Sequence, residues 1–458
     1  MENVVKKKRE NQRVALLSQS ILPVVLQVAL PTSLAVMIPI TVSIVGLYFL
    51  GMLGTETVAA VSLVFPVATV VQMISSGDIG GAISGAMARS LGAGKRDDAN
   101  ALVLQSLLLS IVFGLICAVL QMTLAPDLYR LLGASERVVE IAVAYSNPIF
   151  IGSVFMWTAN HLAGVLRGSG DVSIAARTMI TARIATCPLY PALIFGWGPL
   201  PSLGVAGAAF VDILYFGLSS VALILFLLRP GNSVQLTFEK AHLRCSQFFE
   251  ILRVGGMLTI RTAQSAITTI VVAANVGALG SQALAGYGAA ARLDAALAPL
   301  LFGLGTSTLL MTGTNLGAGQ TRRAYRSAFA GIVFAAAFIE IIGIVVAIFP
   351  SPWMRLFSND PDVIEQGSAY LRIVGPLYGL FAAGVMIYFV AQATKYLKWN
   401  LAAATARLVV VVVGCYVANL LDAGLKSISL VVAFSYLIFG IVNLMTMFPR
   451  AGWHFQKS

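Results

Sequence analysis

The chain has 458 residues, 58% of them hydrophobic and 11% charged, with a mean hydropathy of +0.87 and a net charge of +11. That balance excludes a soluble globular domain. Its 3 histidines and 4 scattered cysteines (Cys117, Cys187, Cys245 and Cys415) give no basis for a metal site or a disulfide framework.

A basic leader with Lys6, Lys7, Lys8, Arg9 and Arg13 opens the chain. It runs into an apolar stretch too long for a signal-peptide core, so 1–21 reads as a cytoplasmic N-terminal segment. About twelve apolar stretches follow, each long enough to cross a ~30 Å hydrocarbon core as a helix. They fall near 22–50, 57–88, 98–123, 138–166, 173–196, 203–228, 248–276, 284–313, 324–349, 364–392, 399–421 and 427–448. The first carries Pro31 and Pro39 as bending points and ends near Tyr48. The second carries Gln72, Met73 and the glycine-rich run around Asp78, and the fourth carries Pro148 as a further bending point with Trp157, Asn160 and a structural His161. Arg183, Asp212 and Arg261 lie in the fifth, sixth and seventh. The eighth holds Tyr287, Arg292 and Asp294, the ninth Glu340, the tenth Pro376, Tyr378 and Tyr388, and the eleventh Arg407.

Basic residues mark alternate loops: Arg89, Lys95 and Arg96, then Arg167, then Arg229, Lys240 and Arg244. The series continues with Arg322, Arg323 and Arg326, then Lys395 and Lys398, then Arg450 and Lys457. The intervening loops are poorer, and 196–204 and 278–282 contain no Lys or Arg. An even number of spans with both termini cytoplasmic fits this alternation in a cell inner (plasma) membrane. The positive charge is thereby explained by topology and requires no nucleic-acid partner.

Residues 91–99 read LGAGKRDDA and residues 316–324 read LGAGQTRRA. Leu53-Gly54-Thr55 upstream of the first copy is matched by Leu279-Gly280-Ser281, and Thr181-Ala182-Arg183 by Thr405-Ala406-Arg407. The chain is two copies of one unit in the same order, and an even span count per copy makes the repeats parallel. The expected fold is all-α integral membrane, with pseudo-symmetric six-helix bundles at 22–228 and 248–448. A polar connector at 229–247 joins them, and a cytoplasmic tail follows at 449–458. The Gly92-Ala93-Gly94 and Gly317-Ala318-Gly319 segments lack the strand and Lys-Ser/Thr of a phosphate-binding loop, and read as helix-ending turns.

The residues GAMARSLGAG at 85–94, LRGSGD at 166–171, LIFG at 193–196 and LGVAGAA at 203–209 carry a family resemblance. YGAAARL at 287–293 and TNLGAG at 314–319 complete it. In this order and spacing the chain resembles the multidrug and toxic compound extrusion (MATE) family of cation-coupled exporters. The resemblance implies a V-shaped pair of bundles, alternating access and export of amphipathic, often cationic organic molecules driven by inward H⁺ or Na⁺. The family's coupling acids do not carry over. The matching helix-one position is Gly46, the helix-five positions are Thr186 and Tyr190, and helix seven has Gln264-Ser265 where one branch has glutamate.

A carboxyl group inside a helix bundle is costly and usually has a role or a partner. The coupling candidates are therefore Asp78, Asp212, Asp294 and Glu340. Burial favours the protonated carboxyl, so H⁺ suits such groups better than Na⁺, which needs several converging oxygens. Asp294 reads equally as part of a charge network with Arg292 and Arg261. Arg183 and Arg407, being duplicated, read as anchors that pair with an acid or snorkel. Substrate-surface candidates are Tyr48, Gln72, Met73, Trp157, Asn160, Tyr287, Tyr378 and Tyr388, whose aromatic and soft faces suit flat cations.

The leading expectation is a monomeric secondary exporter with no cofactor, whose partners are small organic substrates and the bilayer. A lipid or lipid-linked substrate flippase is the alternative within transport. An integral-membrane enzyme is the alternative outside it, and no nucleophile–base pair or metal spacing supports one.

Overall fold

The computed structural model describes residues 16–198, 200–237, 245–421 and 424–447. The basic leader, Lys240, Arg244, Arg450 and Lys457 lie outside the described residues. Among the described residues there is no strand. The chain is a multi-pass helical membrane protein.

The helices run α1 Ile21–Gly51, α2 Thr55–Gly92, α3 Arg96–Leu131, α4 Glu136–Ile151 with Ser153–Ser169, and α5 Val172–Phe195. Then come α6 Val205–Leu228, α7 Cys245–Gly277, α8 Ser281–Gly317, α9 Thr321–Ile348, α10 Pro361–Thr394, α11 Lys398–Leu420 and α12 Leu425–Leu444. Eleven are individually long and apolar enough to cross a membrane, and the two arms of α4 together make a twelfth. The span expected at 138–166, with Pro148 as a bending point, is bent by 49° between its arms, just beyond that proline. Ser135 caps the first arm, accepting from the Val138 amide, and the left-handed Gly170 (φ 89°) ends the second. Asp360 caps α10 by accepting from the Asp362 amide at 2.9 Å, with Pro361 at the first helical position.

The duplicated LGAG segments fold as the same turn. Ala93 N–H donates to Arg89 O at 2.9 Å and Lys95 N–H to Ser90 O at 2.9 Å, while Ala318 donates to Thr314 O at 3.0 Å and Gln320 to Asn315 O at 2.9 Å. Gly94 and Gly319 lie at φ 74° and 73°, where a Cβ would be strained. The expected helix-ending turn is what forms.

The repeat is imperfect at one point, and the fold shows where. α2 spans 38 residues and its counterpart α8 spans 37. The extra residue is taken up by a π-helical turn at Ile74–Ile79, and α8 has no such turn. Such one-residue bulges widen the helix and cluster at functional sites. Asp78 sits inside this one.

The described chain forms two compact units. The first is Pro31–Gly255; the second comprises Leu16–Leu30 and the chain from Gly256 onward. The units divide inside α1 and α7, whereas the loop-based boundaries at 22–228 and 248–448 assign each helix whole. In the first unit, Val64, Ala125, Tyr129 and Val139 form one apolar cluster, and Leu50, Val61, Tyr190 and Val211 another. The opening of α7 is tied to this unit by an Arg89–Glu250 ion pair at 2.5 Å. The first part of the connector packs there too: Val234 is buried, and the Gln235 amide donates to Asn100 Oδ1 at 2.9 Å. The second unit centres on Leu293, Ile339, Leu371, Val411 and Val432. Asn315 Nδ2 donates to Leu16 O at 3.1 Å, which ties the chain ahead of α1 to that unit.

Candidate functional site

In the first unit the charges converge on Asp212, in the second turn of α6. Arg183, from the last turn of α5 before Pro188 breaks that helix, places Nη1 2.6 Å from Asp212 Oδ1. Its Nη2 donates to Ser43 Oγ of α1 at 2.6 Å. The Tyr190 hydroxyl donates to the same Oδ1 at 2.8 Å. The guanidinium also lies over the rings of Tyr215 (4.7 Å) and Tyr190 (5.7 Å). Asp212 Oδ2 makes no hydrogen bond among the described residues. The aspartate lines an apolar pocket with Ala68, Val71, Phe150, Met156 and Phe216 at the bend of α4. The Arg183 side chain is 4% exposed and that of Asp212 22%, so this is a sealed cation holding a carboxylate that is open on one side.

Gly46 and Tyr190, where the family's acids are missing, prove to be partners. A Cβ on Gly46 would fall 2.8 Å from the Tyr190 ring, so glycine in α1 is what admits the phenol that reaches Asp212. The first unit has an acid at this spot, but it comes from α6.

A second polar cluster surrounds the π-helical turn. Asp78 is fully buried. Arg167 from the second arm of α4 donates to Ser76 O at 3.2 Å, and Asn160 donates to Ser75 Oγ at 3.1 Å and to Gln72 Oε1 at 3.2 Å. Gln72 and Asn160, expected on a substrate surface, bond each other between helices. Trp157, expected there too, is 2% exposed and stacked on Phe113 at 4.9 Å. Tyr48 and Met73 are exposed. His161 is buried with Nδ1 3.2 Å from Ser106 O, as a structural histidine should be.

In the second unit Asp294 of α8 is half-buried and accepts from the Tyr436 hydroxyl at 3.3 Å, with the Tyr378 hydroxyl beside it. Tyr287 and Tyr370 pack edge to face at 5.3 Å in the same cluster. The expected charge network does not assemble. Arg292 is exposed and lies over Phe357 at 4.9 Å, Arg261 lies over Tyr388 at 4.4 Å, and neither forms an ion pair with Asp294 among the described residues. Each guanidinium has taken an aromatic face instead. Glu340 Oε2 accepts from the Gly379 amide at 2.5 Å, at the start of the second arm of α10 after the Gly375–Leu377 turn.

The two units answer one another. When the halves are aligned on Arg183 and Arg407, Tyr436 stands where the first unit has Asp212. When they are aligned on Leu53 and Leu279, Asp294 stands where the first unit has Ala68. Ala68 and Asp212 line one pocket, and Tyr436 bonds Asp294. The acid has moved from α6 to α8, where it bonds Tyr436 in place of the duplicated arginine. The duplicated Thr-Ala-Arg segment was the signal for this in the sequence.

The MatE family model matches residues 31–191 and 260–417. A FAD transporter of Shewanella oneidensis is 29% identical over 391 residues, 84% of each chain. The multidrug export protein MepA of Staphylococcus haemolyticus is 23% identical over 377 residues, 82% of each chain. A MATE protein crystallised in a bent conformation shares the fold at a TM-score of 0.88 and 22% identity, over 96% of this chain and 97% of that one. This chain is therefore a transporter rather than an enzyme, and it belongs to the MatE family of multidrug and toxic compound extrusion proteins.

Proposed function

We propose that this transporter exports small, flat organic molecules in exchange for protons, with both termini on the cytoplasmic side, and that Asp212 is the proton-coupling group of the first unit. The observation that carries the reading is the asymmetry of that carboxylate. Oδ1 is held by Arg183 and Tyr190, while Oδ2 has no partner among the described residues and the side chain borders the pocket. A proton arriving at Oδ2 cancels the charge that holds Arg183. The bonds joining α1, α5 and α6 through Ser43, Arg183 and Asp212 then weaken together. Protonation is thus linked to helix packing without a metal-like set of oxygens, which favours H⁺ over Na⁺. The multidrug export relative supports organic cargo, and the Shewanella oneidensis relative puts FAD on the list of substrates to try.

The test uses purified protein in liposomes with an imposed pH or Na⁺ gradient, and a panel of dyes together with FAD. A pH gradient should drive uptake. Asp212→Asn should abolish that drive while leaving gradient-free exchange of labelled for unlabelled substrate. Transport driven by Na⁺ alone, or full proton-driven transport by Asp212→Asn, would refute the proposal.

A further inference from the structure

Arg407 of α11 is 9% exposed, and among the described residues it makes no hydrogen bond and no ion pair. Its Nε is sealed without an acceptor. The guanidinium lies over the rings of Phe381 and Tyr436, each at 5.1 Å, and of Phe439 at 5.8 Å. Phe439 also receives Arg261 of α7 at 5.9 Å. Two like charges share one ring in the second unit. Asp294, the acid of this cluster, is engaged by Tyr436 and forms an ion pair with neither arginine among the described residues. Glu340 is committed to the Gly379 amide.

The first unit supplies the contrast. There the equivalent Arg183 has a carboxylate at 2.6 Å and a serine hydroxyl besides. The second unit has kept the cation and replaced its carboxylate with the phenol ring of Tyr436. Ring faces and the nearby Asp294 charge offset only part of the cost of burying two guanidinium groups, so an anion would complete the site electrostatically. Arg261, Asp294 and Phe381 are only half-buried, which leaves the cluster open beside them.

We infer that this cluster is a binding subsite for flat aromatic anions. The acidic group meets Arg407 and Arg261, and the ring system lies against the half-buried Phe381. The same charges disfavour the organic cations that the family resemblance implies. The inference rests on the transporter reading only in taking the bound molecule as cargo.

Equilibrium binding to the full-length protein in lipid nanodiscs tests it without any gradient, so a failure of proton coupling leaves this readout intact. The probes are two dyes sharing a xanthene ring, anionic fluorescein and cationic rhodamine 6G, followed by fluorescence anisotropy. Fluorescein should bind more tightly than rhodamine 6G. Arg407→Gln should weaken fluorescein by about tenfold or more without weakening rhodamine 6G. Asp294→Asn, which removes the competing charge, should tighten fluorescein about threefold. A preference for rhodamine 6G in the unaltered protein overturns the inference. So does an equal loss of both dyes in Arg407→Gln, as does unchanged fluorescein binding in Asp294→Asn.

Discussion

Removing both partners of the Arg183–Asp212 pair should cost no more than removing Asp212 alone. Arg183 is 4% exposed, so Asp212→Ala leaves a buried guanidinium with only the Ser43 hydroxyl and two ring faces for company. Breaking a buried pair from one side costs roughly 3–5 kcal/mol, and the 22% exposure of Asp212 places this case near the low end, about 3 kcal/mol. Arg183→Met alone strands the carboxylate, but its Tyr190 bond and partial exposure limit the loss to about 2 kcal/mol. The double variant removes both charges and should cost no more than Asp212→Ala alone. The coupling energy from the cycle is then about 2 kcal/mol. Unfolding in mixed micelles, followed by Trp157 on its Phe113 stack, reports on the first unit. A coupling energy below about 0.5 kcal/mol would mean that the pair behaves like a solvated surface bridge, and the argument for a sealed ion pair would fail.

Three further outcomes follow from the same geometry. Gly46→Ala drives a methyl into the Tyr190 ring, displaces its hydroxyl from Asp212 and should destabilise the first unit by about 1–3 kcal/mol; pairing it with Tyr190→Leu should recover part of that loss in the same unfolding assay. Deleting Ser76 removes the extra residue and lets the turn relax to α-helix, which keeps the flanking Gln72–Asn160 and Ser84–Gly164 contacts in register but closes the widened turn around Asp78. Transport should be lost while circular dichroism stays helical, and full activity would show the π-helical turn to be incidental. Glu340→Gln weakens the bond to the Gly379 amide by about 1 kcal/mol, because the side chain is half-exposed. Hydrogen exchange should speed up at the start of the second arm of α10 and nowhere in the first unit.

Much of the scaffold was legible in the chain. Spans declare themselves through uninterrupted apolar length, a local property that no distant contact can override in a bilayer. The helix-ending role of the LGAG turns was equally local, since a positive φ at Gly94 and Gly319 is dictated within a few residues. The helix breaks were less visible. The π-helical turn at Ile74–Ile79 left only a one-residue mismatch between repeats, whereas the bend between the arms of α4 was marked by Pro148. Gln72, Trp157 and Asn160 carried polar and aromatic chemistry that suits a substrate surface, but their partners are each other and neighbouring helices.

By itself, then, the sequence determined a duplicated helical transporter of a known family, because hydrophobic length and short motifs need no knowledge of helix rotation. Only the tertiary structure decided which acid meets which cation. Arg183 finds Asp212 across 29 residues and Ser43 across 140, and Tyr190 reaches past Gly46 because two helices turn those faces toward each other. A rotation that the linear pattern does not encode sets the ion pair in one unit. The same kind of rotation leaves Arg407 among aromatic rings in the other, with no carboxylate paired to it among the described residues.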